Sequence, residues 1–138
     1  MKVSLEELKR FLTEQFPQGE AFGTLQALGD GWAEMRQEVD ASHLRPGGTV
    51  SGPTMMALAD VAMYAALLSR IGLVPLAVTT NLNINFLTRA GPGELIARCR
   101  ILKLGKRLAV TDCDITSVET GELIAQAHAT YSLPPTKA

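Results

Sequence analysis

The chain has 138 residues, of which 46% are hydrophobic and 20% charged, and its net charge is −1 at pH 7. This length predicts a single domain, residues 1–138, and the balanced charge argues against a nucleic-acid partner. No apolar run is expected to reach the roughly 20 residues of a membrane span, and the acidic Glu6 and Glu7 argue against an export signal. Cys99 and Cys113 show neither metal nor disulfide spacing, so we expect free core thiols in a cytoplasmic protein.

The first forty residues predict a short helix and then a β-hairpin. Ser4 and Glu7 form a capping-box pattern that opens a helix within residues 1–20, and Pro17 is expected to end it. Residues 22–40 are strand-like, and the dipeptide at 30–31, Asp-Gly, is a hairpin turn signal.

A long loop, residues 41–52, leads into an apolar helix. Pro53 suits the first helical position, because its missing N–H would have no partner there. The helix is expected to run from about 53 to 70 and to end before Gly72.

Asp60 is the only acidic or basic residue of this helix between positions 55 and 68. A helix that is apolar all round is expected to be buried, and an ionised carboxylate is costly to bury without partners. Asp60 is therefore either a structural acid that accepts hydrogen bonds from nearby donors or a carboxylate that takes part in a reaction.

Four strand-like runs complete the chain, at residues 77–87, 94–104, 108–118 and 122–133. Their order predicts a four-stranded meander with the apolar helix covering one face. The expected fold class is α+β, with a curled antiparallel sheet around the helix at about 53–70 and a flexible tail at 134–138. Alternation in the first run places four polar residues on one face: Thr79, Asn81, Asn83 and Asn85.

Two blocks within residues 40–134 resemble the hotdog-fold thioesterases, and most of all the PaaI type of acyl-CoA thioesterase. They read GGTVSGPTMMALADVAMYAALLSR and VTTNLNINFLTRAGPGELIARCRILKLGKRLAVTDCDI. The resemblance implies hydrolysis of acyl-CoA thioesters, with coenzyme A as part of the substrate and no separate cofactor. It also implies a homodimer, or a dimer of dimers, with active sites at the dimer interface.

The same resemblance assigns site residues. The family's His-Gly-Gly turn is Ser51-Gly52-Pro53 here. Gly52 matches the amide that holds the oxyanion, Asp60 the catalytic carboxylate, and Thr79 an assisting hydroxyl. Eight residues of helix rise about 12 Å, so Gly52 and Asp60 of one chain cannot both contact one carbonyl, whereas antiparallel helices of a dimer could place them together. Asp60 would act as nucleophile or as general base.

Four further residues are candidates for substrate binding. Arg45, at the position of a family asparagine, could hold an acyl carboxylate, a phosphate or a backbone carbonyl. Ser51 could donate its hydroxyl, and Asn81 could hold water or the pantetheine amides. Tyr64 could line an acyl pocket. Each also has a structural interpretation as a solvated loop, helix cap, strand face or core side chain.

Basic residues gather at a predicted turn. Lys103, Lys106 and Arg107, with Arg89 near them, could bind the phosphates of coenzyme A or could simply keep the turn soluble.

Two other functions compete with hydrolysis. The absence of His-Gly-Gly favours a protein that binds acyl-CoA without turnover. A hotdog hydratase or dehydratase would need His43 as its base. His43 and His128 lack ligand spacing, so no metal is expected.

Overall fold

The computed structural model describes residues 2–16 and 23–135. The elements in chain order are α1 Leu5–Gln15, β1 Thr24–Gly29, β2 Trp32–Val39, a 3-10 turn Ala41–His43, β3 Leu44–Arg45, β4 Thr49–Val50, α2 Gly52–Ile71, β5 Val78–Phe86, β6 Gly93–Leu104, β7 Leu108–Ser117 and β8 Leu123–Ser132. The expected helix stop at Pro17, the start of the hairpin at Phe22 and positions 136–138 of the tail lie outside the described residues.

Capping residues flank both long helices. Ser4 and Glu7 exchange side-chain to main-chain hydrogen bonds of 3.1 Å at the start of α1. Ser51 caps α2, and Gly72 ends it with a φ of 93°, which costs glycine no strain. α2 begins at Gly52, one residue before the predicted start, so Pro53 is the second helical residue and not the first.

The sheet has six antiparallel strands in the order β1-β2-β6-β7-β8-β5. Its inner face packs against α2, chiefly through β2, β6 and β7. Small side chains such as Ala97, Ala127 and Ala129 are almost fully buried on that face, which lets the helix lie close to the sheet. The predicted α+β class, with one long helix against a curled antiparallel sheet, is confirmed.

The predicted four-stranded meander is wrong in one respect. β6, β7 and β8 follow each other as hairpins, but β5 pairs with β8 at the far edge and not with β6. Alternation along a strand predicts which residues share a face but not which strands are neighbours, so the strand order could not be predicted from it.

The expectation of free cysteines is also wrong. The register of β6 and β7 places Cys99 directly opposite Cys113, with Cα atoms 4.1 Å apart, and the two form a buried disulfide. The argument from free thiols to a reducing compartment therefore no longer holds.

α2 is longer than the sequence analysis expected. Its 20 residues are enough, by length and composition alone, to cross a membrane. Most of its apolar surface is buried against the sheet, as is typical of the core helix of a globular domain.

Candidate active site

Asp60 lies in the middle of α2 and is half-buried. The Thr79 hydroxyl donates to Asp60 Oδ1 at 2.8 Å. The Tyr131 hydroxyl donates to the same oxygen at 2.9 Å and lies 2.8 Å from the Asp60 main-chain carbonyl oxygen. Asp60 Oδ2 accepts no hydrogen bond from any residue that the structure describes. One carboxylate oxygen is therefore fixed, and the other is available to a ligand.

Tyr131 was missed by the sequence analysis. It lies on β8, 71 positions from Asp60, and is only 1% exposed. Burial, together with the negative charge of Asp60, raises the pKa of its phenol far above the ordinary value. The hydroxyl therefore stays protonated and remains a hydrogen-bond donor to the carboxylate. The one available signal was a tyrosine at an inward-facing position of a strand, which also fits ordinary core packing.

The predicted polar face of β5 is wrong at its first residue, Thr79, because a β-bulge lies at Thr80. Thr79 pairs with the inward-facing Tyr131, whereas Asn81 pairs with Thr130, one residue earlier on β8. Because the bulge inserts one extra residue, Thr79 points toward α2, and Asn81 lies on the outer face of the sheet. Within one chain the structure therefore brings Thr79 to Asp60 and keeps Asn81 away from it.

The start of α2 presents one free main-chain donor. Ser51 Oγ accepts from the Thr54 N–H at 3.3 Å and lies 2.8 Å from Thr54 Oγ1, so its hydroxyl serves the helix cap. Pro53 has no N–H. The Gly52 N–H has no acceptor among the described residues. It lies at the positive end of the helix dipole, which suits a developing oxyanion.

A cavity of about 420 Å³ lies beside this donor. Gly52, Met55 and Phe86 line it together with Arg45 and Arg89. The space next to the Gly52 Cα is narrow, since a Cβ there would come within 3.3 Å of the Phe86 ring. The structure thus brings Arg45 to Gly52, as a binding role for Arg45 requires.

The basic residues that were expected to gather at one turn lie in two different places. Lys106 lines a separate cavity of about 580 Å³ between the β6–β7 turn and the segment after β8. Arg107 Nε donates to the Leu133 carbonyl at 3.3 Å. Arg89 lies in the Gly52 cavity, so the expectation that it joins Lys106 and Arg107 is wrong.

Tyr64 and His43 both make contacts away from Asp60. The Tyr64 hydroxyl reaches the Val74 carbonyl at 3.4 Å, and its ring centroid lies 6.3 Å from that of Tyr131. His43 Nδ1 accepts from the Asp40 N–H at 2.9 Å in the cap of the 3-10 turn. His43 therefore has a structural role in this cap, and it makes no described contact with Asp60.

Comparison with known proteins places this arrangement in a family. The model of the thioesterase superfamily matches residues 47–124, which is more than half of the 138 residues. The chain belongs to the thioesterase superfamily. The match includes both Gly52 and Asp60, so this superfamily member carries its free helix donor and its lone carboxylate inside the shared segment.

Individual relatives agree with the family match. Acyl-coenzyme A thioesterase 13 of Homo sapiens is 32% identical over 136 residues, covering 96% of each protein. The structure of a proposed thioesterase from Silicibacter sp. TM1040 has a TM-score of 0.86 and 43% identity, covering 96% of this chain and 92% of that one. A mutant of the phenylacetic acid degradation protein PaaI from Thermus thermophilus has a TM-score of 0.77 and 30% identity, covering 86% of this chain and 100% of that one. The predictions of a hotdog fold, of the PaaI type and of a thioester-hydrolase class are confirmed.

Proposed function

We propose that this thioesterase hydrolyses acyl-CoA thioesters, with Asp60 as the reacting carboxylate and Gly52 of the partner subunit as the oxyanion donor. The proposal depends on the difference between the two carboxylate oxygens of Asp60. Thr79 and Tyr131 hold Oδ1, and Oδ2 has no donor from the described chain. Asp60 is only half-buried, and none of the described side chains has a buried polar atom without a partner, so a substrate or a water molecule can reach Oδ2.

The chemistry needs a nucleophile and a stabiliser of negative charge. In one route, Oδ2 attacks the thioester carbonyl, the carbon–sulfur bond breaks, and water then hydrolyses the mixed anhydride. In the other, Oδ2 takes a proton from water as the water oxygen attacks. In both routes the carbonyl oxygen becomes an oxyanion that the Gly52 N–H of the partner subunit can hold. Coenzyme A leaves as its thiolate, which takes up a proton from the water consumed: through Asp60 in the general-base route, and on hydrolysis of the anhydride in the direct route. No cofactor enters either route.

A homodimer is proposed because two adjacent surfaces of one chain are left open. β5 bonds to β8 on one side and to no described strand on the other. Val78 and Phe86 on this strand are 52% and 51% exposed, and Met56 on the neighbouring stripe of α2 is 38% exposed. Pairing two copies along β5 would cover these apolar side chains and satisfy the strand edge. It would also let Gly52 of one chain approach Asp60 of the other.

The decisive experiment is hydrolysis of a panel of short, medium and aromatic acyl-CoAs, followed with a thiol reagent. Wild-type protein is compared with Asp60→Asn, which keeps the size and the hydrogen-bonding oxygen of the side chain but not its charge. We expect kcat/KM to fall by about three orders of magnitude in the variant, as for loss of a reacting group. Melting temperatures of the two proteins control for folding.

Saturable binding of acyl-CoA without turnover in the wild-type protein would contradict this proposal and favour a binding protein. Addition of water to an enoyl-CoA, seen as loss of its absorbance, would instead favour a hydratase. Turnover in water labelled with ¹⁸O, under single-turnover conditions, separates the two hydrolytic routes, because only direct attack leaves label in Asp60.

A further inference from the structure

Two arginines of this chain differ from most of the others in their surroundings. Four arginines pair with carboxylates: Arg36 with Glu94, Arg70 with Asp30, Arg98 with Glu34 and Arg100 with Asp112. Arg45 and Arg89 form no ion pair with any residue in the described ranges 2–16 and 23–135. Both line the same cavity, and the lining of that cavity includes no acidic residue.

Two unpaired guanidinium groups facing one cavity repel each other unless an anion lies between them. A carboxylate suits this place, since the guanidinium fork matches its two oxygens. Thr49 and Thr88 add hydroxyls to the lining, while Met55 and Phe86 offer apolar contact to a hydrocarbon chain. The cavity therefore has a charged part and an apolar part.

The position of the cavity indicates which part of the substrate enters it. Gly52, whose N–H would hold the thioester oxygen, is one of its lining residues. The pantetheine arm separates the phosphates of coenzyme A from the thioester by a long chain. A cavity of about 420 Å³ that begins at the thioester is the size of a small-molecule site. These facts favour the acyl group as the occupant, with its anion at the end away from the thioester.

We propose that Arg45 and Arg89 bind a carboxylate at the far end of the acyl group, so that the preferred substrates are CoA thioesters of dicarboxylic acids. The inference rests on the proposed thioester hydrolysis and narrows its substrate class. It assigns these two arginines to substrate selection and leaves the reacting groups as described above.

The test uses two substrates of equal chain length, adipyl-CoA and hexanoyl-CoA, and the matching thioesters of N-acetylcysteamine, which lack every phosphate of coenzyme A. The measured quantity is the ratio of kcat/KM for the adipyl over the hexanoyl thioester. Wild-type protein is expected to favour the adipyl group by about a hundredfold in both series, with about tenfold from each arginine, as charge-assisted hydrogen bonds allow. Raising the salt concentration should reduce this ratio, because the arginines are exposed.

Arg45→Met and Arg89→Met are expected to lower the ratio about tenfold each, and the double variant to bring it close to one. Arg10→Met is the matched control, because Arg10 is an exposed arginine of α1 that lines none of the described cavities and pairs with no described carboxylate. Its ratio should equal that of the wild type.

Two results would overturn the inference while leaving hydrolysis intact. One is a wild-type ratio near one. The other is a loss that affects both CoA substrates equally and vanishes with the N-acetylcysteamine thioesters, which would assign the arginines to the CoA phosphates. If no acyl-CoA is hydrolysed, the proposed function fails, and calorimetric binding of adipyl-CoA against hexanoyl-CoA to the wild type then decides the inference separately.

Discussion

At the scale of single residues, Asp60 shows how an apolar helix can hold an acid ready for chemistry. Two hydroxyls donate to one oxygen, and hydrogen bonds to a charged group typically contribute about 1.5–3 kcal/mol each. These bonds fix the rotamer of the carboxylate. The second oxygen therefore has a defined direction, which the oxygens of a freely rotating surface carboxylate would not have.

Replacing Tyr131 by phenylalanine should reduce kcat/KM about tenfold, because one donor to the reacting carboxylate is lost. The loss should lie in kcat and leave KM nearly unchanged, because Tyr131 contacts the reacting carboxylate and not the substrate. Steady-state kinetics of acyl-CoA hydrolysis measure the two constants separately.

Thr111→Val is a control for that prediction. It removes another buried hydroxyl bond between β7 and β8, from Thr111 to the Ala129 carbonyl, without touching Asp60. Its kcat should match that of the wild type. A Tyr131→Phe variant whose kcat also matched the wild type would refute the positioning role of Tyr131.

Tyr131 should also make the folded protein sensitive to alkali. Burial and the charge of Asp60 raise the pKa of its phenol, whereas in the unfolded chain it ionises near 10.0. The folded state then holds a proton that the unfolded state releases, so this stability is complete below about pH 10 and is lost as the pH rises further. Above that pH, the free energy of unfolding of the wild type should fall relative to Tyr131→Phe by about 1.4 kcal/mol per pH unit.

Urea unfolding of both proteins at half-unit steps from pH 9 to 11 measures this slope. Tyr64, whose pKa burial also raises, is present in both proteins, so its contribution cancels in the difference. Curves that stay parallel over the whole range would show that Tyr131 ionises as easily in the folded chain as in the unfolded one.

The residue pattern could predict some of these contacts and not others. Asp60 stands out because a lone acid in an apolar helix needs an explanation, and the family resemblance supplied Thr79. Tyr131 could not be found in this way, because its contact with Asp60 depends on which strand lies beside β5 and on the bulge at Thr80. Both are properties of the assembled sheet.

At the scale of elements, the start of α2 has both a stabilising cap and a free N–H group that can bind a ligand. The Ser51 side chain satisfies the Thr54 N–H, Pro53 contributes none, and the N–H of Gly52 is left for a ligand. Local signals of this kind, together with the turn at Asp30 and Gly31, explain why the helices and the first hairpin could be predicted closely. The order of the strands could not, since no local signal records that β5 crosses to β8.

Gly52→Pro should lower kcat by about 10²–10³, the usual loss for one oxyanion donor. Proline is tolerated at the first helical position, so α2 should still form. Gly52→Ala is the matched control, since it keeps the N–H and adds a Cβ that meets the same Phe86 ring. That ring is 51% exposed and can shift, so the alanine variant should lose far less activity.

Acyl-CoA hydrolysis by both variants measures the difference, and circular dichroism with melting curves controls for folding. Equal activity of the proline and alanine variants would show that the Gly52 N–H holds no oxyanion.

At the scale of the whole molecule, the two halves of the proposed site lie too far apart in one chain. Gly52 and Asp60 are separated by eight residues of α2, a rise of about 12 Å. The exposed edge of β5 and the open stripe of α2 lie where a second copy could bring the halves together. If so, activity belongs to the dimer, and neither half-site can be restored within its own chain.

Mixing two inactive variants tests this dependence. In a dimer of one Asp60→Asn chain and one Gly52→Pro chain, one site contains both substitutions, and the other contains the intact Asp60 and the intact Gly52. A random mixture made by refolding should therefore recover about a quarter of the wild-type activity, because half of the dimers are mixed and half of their sites are intact. Dimers purified through two different tags should reach about half.

Sedimentation of the mixture shows whether mixed dimers have formed, and each variant refolded alone gives the background rate. If every site lay within one chain, the mixed dimer would hold no complete site, and its activity would equal that background. Recovery of activity therefore requires that the carboxylate and the amide come from different subunits, because no other combination of the two chains contains both.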